Sequence, residues 1–284
     1  MTDSYLQQPH RRRFLELTLA GVAGSVALSQ LSACTSRKQE PAVSDIWRKA
    51  DEIRQQVRIP EFPARTFDIR DFGAQAGGAH DNSAAFAAAI AACHQAGGGK
   101  VLVAEGDYLS GPIHLLSNIN LHIAEGARIL FITDPKAYLP AVFTRWEGME
   151  LMGYSPLIYA FEQENIAITG KGILDGQANR TTWWPWKGGA WKGATNWSVP
   201  GFPTQDEARN KLMQDMEADV PVAERIYADG ANLRPPFIQP YRCKNVLIEG
   251  VTITNAPFWL INPVRKRHCG WGELRESRPQ LRWL

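Results

Sequence analysis

Asn165-Ile166-Ala167-Ile168-Thr169-Gly170-Lys171-Gly172-Ile173-Leu174-Asp175-Gly176 is the stretch whose reading decides the fold. Its opening form, Asn then apolar, any, apolar, recurs in Asn118-Ile119-Asn120-Leu121 and in Asn245-Val246-Leu247-Ile248. The second and third copies also continue alike, as Gly170-Lys171-Gly172-Ile173-Leu174-Asp175 and Gly250-Val251-Thr252-Ile253-Thr254-Asn255. The first two copies lie 47 residues apart. That spacing suits two turns of a solenoid with coils of roughly 20 to 29 residues. The next interval is 80 residues, so a non-repetitive insertion, near 177–236, separates the second copy from the third. Asn at a matched turn position tolerates the left-handed conformation, and the apolar positions point into a stacked core. A β-sandwich is the structural alternative, but it does not readily explain a fixed repeat that opens on a helix.

Working outward from the repeat, the body begins with Phe67-Asp68-Ile69-Arg70-Asp71-Phe72-Gly73-Ala74. Asp81-Asn82-Ser83 then opens an alanine-rich run with Phe86, Ile90 and Cys93 on one face, closed by Gly97-Gly98-Gly99. This reads as a helix capped by Asn or Ser at its start and stopped by glycine. The same periodicity makes Cys93 a buried apolar residue. Short β-rich segments follow, among them Val101-Leu102-Val103, Ile113-His114-Leu115 and Ile129-Leu130-Phe131, separated by Gly, Pro, Ser or Asn.

The chain has 284 residues, 44% of them hydrophobic and 21% charged, enough for one cored domain with appendages. Its net charge of +2 hides a partition. Residues 1–40 carry five Lys or Arg against three Asp or Glu, and residues 265–284 carry six against two, which leaves the body mildly acidic. Such a body gives no electrostatic reason to expect nucleic acid as a partner. Cys93, Cys243 and Cys269 show no CxxC or Cys/His spacing, so neither a disulfide framework nor a metal site is indicated.

Residues 1–34 read as an export signal. Arg11 and Arg12, in His10-Arg11-Arg12-Arg13-Phe14-Leu15, resemble the twin-arginine pattern and precede an apolar stretch from Leu17 to Ala33. Leu31-Ser32-Ala33-Cys34 resembles a lipobox, which makes Cys34 the expected site of lipidation. The competing reading, a transmembrane anchor, meets a stretch at the short limit for a span and interrupted by Ser, Gln and Gly. The expected product is an exported, lipid-anchored protein of a bacterial envelope, touching the membrane only through Cys34. Residues 35–62 are a linker with a short helix from Ser44 to Arg58.

The Asp-Phe-Gly-Ala start, Gly97-Gly98-Gly99-Lys100-Val101 and Gly106-Asp107-Tyr108 resemble the entry to the parallel β-helix of the pectin-degrading superfamily. Gly170 to Gly176, Trp183-Trp184-Pro185-Trp186-Lys187 and Asn255-Ala256-Pro257-Phe258-Trp259 narrow the resemblance to glycoside hydrolase family 28, the polygalacturonases. The resemblance covers about residues 65–264 and implies an all-β fold. That fold is a right-handed parallel β-helix with an N-terminal capping helix, over 63–264 in this chain. It further implies hydrolysis of α-1,4 galacturonosyl links of pectin with inversion and without metal or organic cofactor; a monomer is expected. Inversion needs one carboxylic acid to protonate the leaving oxygen and one carboxylate to activate water. In the family these are aspartates of an Asn-x-Asp and an Asp-Asp motif, accompanied by Gly-His-Gly and an Arg-x-Lys that binds the substrate carboxylate.

The sequence contains no Asp-Asp, no Asn-x-Asp and no His-Gly, so no catalytic residue is assigned. Arg209-Asn210-Lys211 matches Arg-x-Lys by letters but falls in a polar, helical-looking stretch from Gln205 to Met216 and reads as a solvated helix face. Beyond Val264, residues 265–284 abandon the strand pattern for five Arg and one Lys without alternation. The expectation is a shifted reading frame that truncates the β-helix before its catalytic motifs, against a basic tail or a diverged cap as alternatives.

Trp183, Trp184 and Trp186, with Lys187, are the candidate substrate-binding residues. Flat indoles stack on sugar rings and lysine meets galacturonate carboxylates. The competing reading is that these aromatics anchor a long loop to the β-helix wall. Asp175 beside Gly176 reads as a turn residue, and Glu162 and Glu164 as a solvated turn. Three functions compete: a family 28 hydrolase inactive as this chain, a lyase of the same superfamily lacking its Ca²⁺-binding acidic cluster, and a lipid-anchored glycan-binding protein without catalysis.

Overall fold

Short strands here pair with the strand one coil away rather than with their neighbours in sequence. In a computed structural model, which describes residues 43–56, 59–189, 196–264 and 267–271, these pairings form three parallel faces. The first face contains Thr66–Asp68, Gly99–Val103, Ile119–Ile123, Glu164–Gly170, Lys244–Ile248 and Arg267–Trp271. The second contains Gly106–Ser110, Ala127–Phe131, Ile173–Asp175 and Thr252–Thr254. The third contains Ile113–His114, Ile158–Phe161 and Ile238–Tyr241, and is continued by bridges from Ile238 to Ile261 and Tyr241 to Val264. This is a parallel β-helix, and all of its coils lie in the unit Trp47–Leu284.

Register explains the core. Val101, Leu121, Ile168 and Ile248 stand opposite one another on successive coils, and all four are buried. Tyr108, Ile129, Leu174 and Ile253 do the same on the second face. Each apolar residue therefore covers its counterpart above and below, and burial of one coil depends on the next. The matched asparagines sit where the chain turns onto the first face, at φ 65, 53 and 57° for Asn118, Asn165 and Asn245. Their amides form a ladder: Asn165 Nδ2 donates to Asn118 Oδ1 at 3.1 Å, and Asn245 Nδ2 to Asn165 Oδ1 at 2.6 Å. The left-handed turn expected of these residues is thus present, with a side-chain hydrogen bond added at each step.

The spacing was informative in a different way from the one expected. Ile119 pairs directly with Ile166, so the interval of 47 residues is one coil and not two. A bare turn, from Gly99 to Ile119, takes about 20 residues. The surplus is a hairpin, Val142–Trp146 with Met149–Gly153, that folds on itself outside the coil. Its two turn residues, Glu147 and Gly148, both have positive φ, as the strand twist of a two-residue hairpin requires. Chain length between repeats counts excursions as well as coils, which is why the spacing misled. The interval of 80 contains the expected insertion, which holds a 3₁₀ turn Trp184–Lys187, helix Asp206–Glu217 and the short strand Ile226–Tyr227.

The helix Ser83–Gln95 buries Ala85, Phe86, Ala89, Ile90 and Cys93, as its periodicity implies. Its cap differs from the expectation. Asn82 makes no capping bond, because its buried amide is committed to Gln75 and to the carbonyls of His80 and Leu109; Asp81 Oδ1 instead accepts from Ser83 N at 2.9 Å. The helix Val43–Gln56 answers the one expected over Ser44 to Arg58.

The expectation that the strand pattern stops at Val264 is corrected for the backbone. Arg267–Trp271 pairs in parallel with Lys244–Ile248. Such a ladder is made by main-chain N–H and C=O groups and needs no side-chain alternation. Arg11, Arg12, Cys34 and residues 272–284 lie outside the described residues.

Candidate carbohydrate-binding face

The insertion leaves the second face through a turn that Asp175 builds. Its Oδ1 accepts from Gln177 N and from Asn255 Nδ2, both at 2.9 Å, so the carboxylate is structural, as the sequence reading held. Glu162 and Glu164 are likewise taken up on the solvated turn, pairing with Arg242 at 3.1 Å and Lys244 at 2.7 Å.

The chain then enters the Trp184–Lys187 turn, and the candidate tryptophans part company. Trp183 is 1% exposed and meets Tyr138 and Trp186 edge-on at 5.5 and 5.0 Å. Trp186 is 7% exposed and lies against Tyr154. A ring without an open face cannot stack on a sugar, so the assignment of Trp183 and Trp186 to substrate binding is corrected: they anchor the insertion to the core. Burial also pushes the Tyr138 hydroxyl well above its ordinary pKa, and that hydroxyl donates to Ile132 O at 2.7 Å.

Trp184 is different. It is half-buried, its Nε1 donates to Ala256 O at 2.9 Å, and its ring lies 5.0 Å from that of Trp197. Arg180 sits 5.2 Å over Trp197. Lys187 is half-buried at the end of the same turn. Trp184 and Lys187 thus remain at the surface, while Trp191 and Lys192 lie outside the described residues.

The partner of Trp184 is informative. The segment Asn255-Ala256-Pro257-Phe258-Trp259 connects the second face to the third, and it is held from two sides. Trp184 takes the carbonyl of Ala256, and Arg234 Nη1 takes that of Pro257 at 3.1 Å. Phe258 stacks on Trp146 of the hairpin at 5.7 Å and on Trp259 at 4.4 Å, with the Arg234 guanidinium 4.8 Å over its ring. Trp146 is buried with Leu151, Leu212, Tyr227 and Leu233 in a second core beneath. Trp259 and Leu260 are 40% and 38% exposed, so the segment ends in an aromatic and aliphatic surface.

Arg234 is only 8% exposed. Loss of solvent holds its guanidinium below the ordinary arginine value, at about 10, opposed weakly by the charge of Glu147. Glu147 itself pairs with Arg209 at 3.1 Å, and Lys211 pairs with Asp215 at 2.9 Å. Both basic residues of the Arg-x-Lys letters are therefore engaged along the helix Asp206–Glu217, in agreement with the solvated-face reading. Among the described residues no group of three His, Cys, Asp or Glu side chains could hold a metal ion. Sequence reasoning singled out the Asn255 to Trp259 motif but missed Arg234 and Trp146. The only local signal for Arg234 is Arg-Pro-Pro just ahead of a strand.

Coils of this register, crowned by an aromatic segment beside a buried cation, define a parallel β-helix with an exposed aromatic edge. No family model matches the chain. Among solved structures, the hyperthermoactive exopolygalacturonase from Thermotoga maritima is 46% identical with a TM-score of 0.75, covering 82% of this chain and 52% of its own. The family 28 exopolygalacturonase of Yersinia enterocolitica, 22% identical with a TM-score of 0.52, covers 75% of this chain and 39% of its own and shares the fold. An exopolygalacturonase of Zea mays is 26% identical over 198 residues, which are 68% of this chain and 41% of the relative. These likenesses support a polygalacturonase-like assignment, similar to glycoside hydrolase family 28. It spans about half the length of the Thermotoga protein or less of the others.

Proposed function

We propose that this chain carries the substrate-facing part of a pectin-degrading glycoside hydrolase, and that its 284 residues bind galacturonan without hydrolysing it. The observation that supports the first half is the 46% identity and TM-score of 0.75 to an exopolygalacturonase over 82% of the chain. The absence of Asp-Asp and Asn-x-Asp from the sequence supports the second. An acid or base typically contributes about 10² to 10⁴ in rate, so a chain without either has no practical turnover. Purified protein is expected to bind oligogalacturonate saturably in calorimetry and to release no reducing ends from polygalacturonate above a blank. Hydrolysis above the blank would overturn the inactivity, and no binding would overturn the galacturonan reading.

Export through the Arg11-Arg12 signal and a lipid on Cys34 belong to the same proposal. So does a reading-frame change near Val264, which resequencing of the coding DNA across Pro263 to Arg267 decides.

A further inference from the structure

We infer that the helix Val43–Gln56 lies on a lipid surface, with the ridge that carries Trp47 and Ile53 set into the bilayer interface. The inference rests on the proposal that Cys34 is lipidated and adds to it a second, non-covalent membrane contact.

The argument starts from an uncovered apolar ridge. Val43, Ile46, Trp47, Ala50 and Ile53 recur at spacings of three and four residues, the period of one helix face. Trp47 is 68% and Ile53 56% exposed, and Ile59, just beyond the helix, is 67% exposed. Among the described residues, none from this helix joins a buried cluster. A helix of 14 residues is marginal in water on its own hydrogen bonds and draws most of its stability from packing of its apolar face. This ridge therefore calls for an occupant that the described residues do not supply.

The chain ahead of the helix says which occupant. Eight residues, Thr35 to Ala42, separate Cys34 from Val43. Fully extended, they reach about 30 Å, so a lipid on Cys34 keeps the helix within that distance of a bilayer. So short a tether presents the lipid surface at high effective concentration. The helix is about 21 Å long, shorter than a hydrocarbon core of about 30 Å. None of the described helices is long and apolar enough to cross a membrane. This one suits the plane of the interface, where indole rings sit at the headgroup level.

Charge argues against a polyanion as the occupant. Arg48, Lys49 and Arg54 are balanced by Asp45, Asp51 and Glu52, and Arg48 pairs with Glu52 at 2.6 Å. A helix without net charge has no electrostatic pull on pectin or on anionic headgroups. Its hold on lipid comes from Trp47 and Ile53 and depends on the tether.

The test places the lipidated full protein on vesicles of phosphatidylethanolamine and a phosphatidylcholine with brominated acyl chains, which quench indole fluorescence on contact. Flotation and mass spectrometry of Cys34 report the anchor separately. The wild type is expected to show a quenched component that Trp47→Phe removes. Hydrogen exchange over residues 43–56 is expected to be about 10- to 100-fold slower in the wild type than in Trp47→Ser/Ile53→Ser. Neither readout is expected to change with salt or with added phosphatidylglycerol. If the variants float with the vesicles and match the wild type in quenching and exchange, the inference is overturned and the Cys34 lipid stands. If the protein does not float and Cys34 carries no lipid, both fall. Protection without quenching that fades as the protein is diluted on the vesicles assigns the ridge to a second copy and also overturns the inference. Should the double variant not be recovered, Trp47→Phe decides: quenching equal to the wild type overturns it.

Discussion

Asn118, Asn165 and Asn245 are far apart in the chain and meet one environment, whereas Trp183, Trp184 and Trp186 are near neighbours and meet three. Each asparagine turns the chain at φ between 53 and 65° and shares a side-chain hydrogen bond with a counterpart on the adjacent coil. Of the tryptophans, Trp183 is sealed in the core and Trp186 lies at its edge, while Trp184 reaches the surface with its N–H on Ala256. Within coils, a residue's position in the repeat fixes its surroundings. Inside the insertion, residue type says only that a large aromatic is needed, and its surroundings follow from where the loop lands.

The comparison breaks most visibly at Trp183. Trp183→Ala is expected to cost about 3–5 kcal/mol by opening a cavity among Tyr138 and Trp186. Trp184→Ala is expected to cost about 1–2 kcal/mol, mainly the hydrogen bond and partial burial, and to lower affinity for oligogalacturonate. Urea unfolding of the two variants checks the order. Equal destabilisation would erase the distinction between anchor and surface ring.

A loss between those two, about 3 kcal/mol, is expected for Gly170→Ala in the repeat itself. Gly170 has φ 110°, and a Cβ there would overlap the carbonyl of Ile123 on the preceding coil. A midpoint unchanged in urea would show that the coils are not stacked as closely as this.

A further pair of variants separates the two duties of the ladder asparagine. Asn165→Ala loses its side-chain bonds and forces alanine into a left-handed turn, for about 2 kcal/mol, whereas Asn165→Gly loses only the bonds, for about 1 kcal/mol. Thermal unfolding of both sharpens the comparison, since equal effects would assign the whole role to the hydrogen bonds.

Much of the fold was legible because coils repeat their local chemistry. Asn then apolar, any, apolar names both the turn and the inward positions, and the alanine-rich stretch after Asp81 names the capping helix by its period. The number of coils was not legible, because the hairpin around Glu147 and Gly148 lengthens one interval without adding a turn. The exposed aromatic face was legible only as a motif from Asn255 to Trp259. Arg234 carries no pattern of its own, and burial without a counter-charge is a property of its neighbours.

By itself, then, the sequence determined a β-helix of stacked Asn-headed coils, since a backbone repeat needs only local residue types to specify its turns and its core. Tertiary structure alone decided which tryptophans face the core, that Arg267–Trp271 continues the first face, and that a guanidinium lies buried beside Phe258. Those outcomes depend on contacts between segments distant in the chain, where solvent exclusion and charge are set by packing and not by the order of residues.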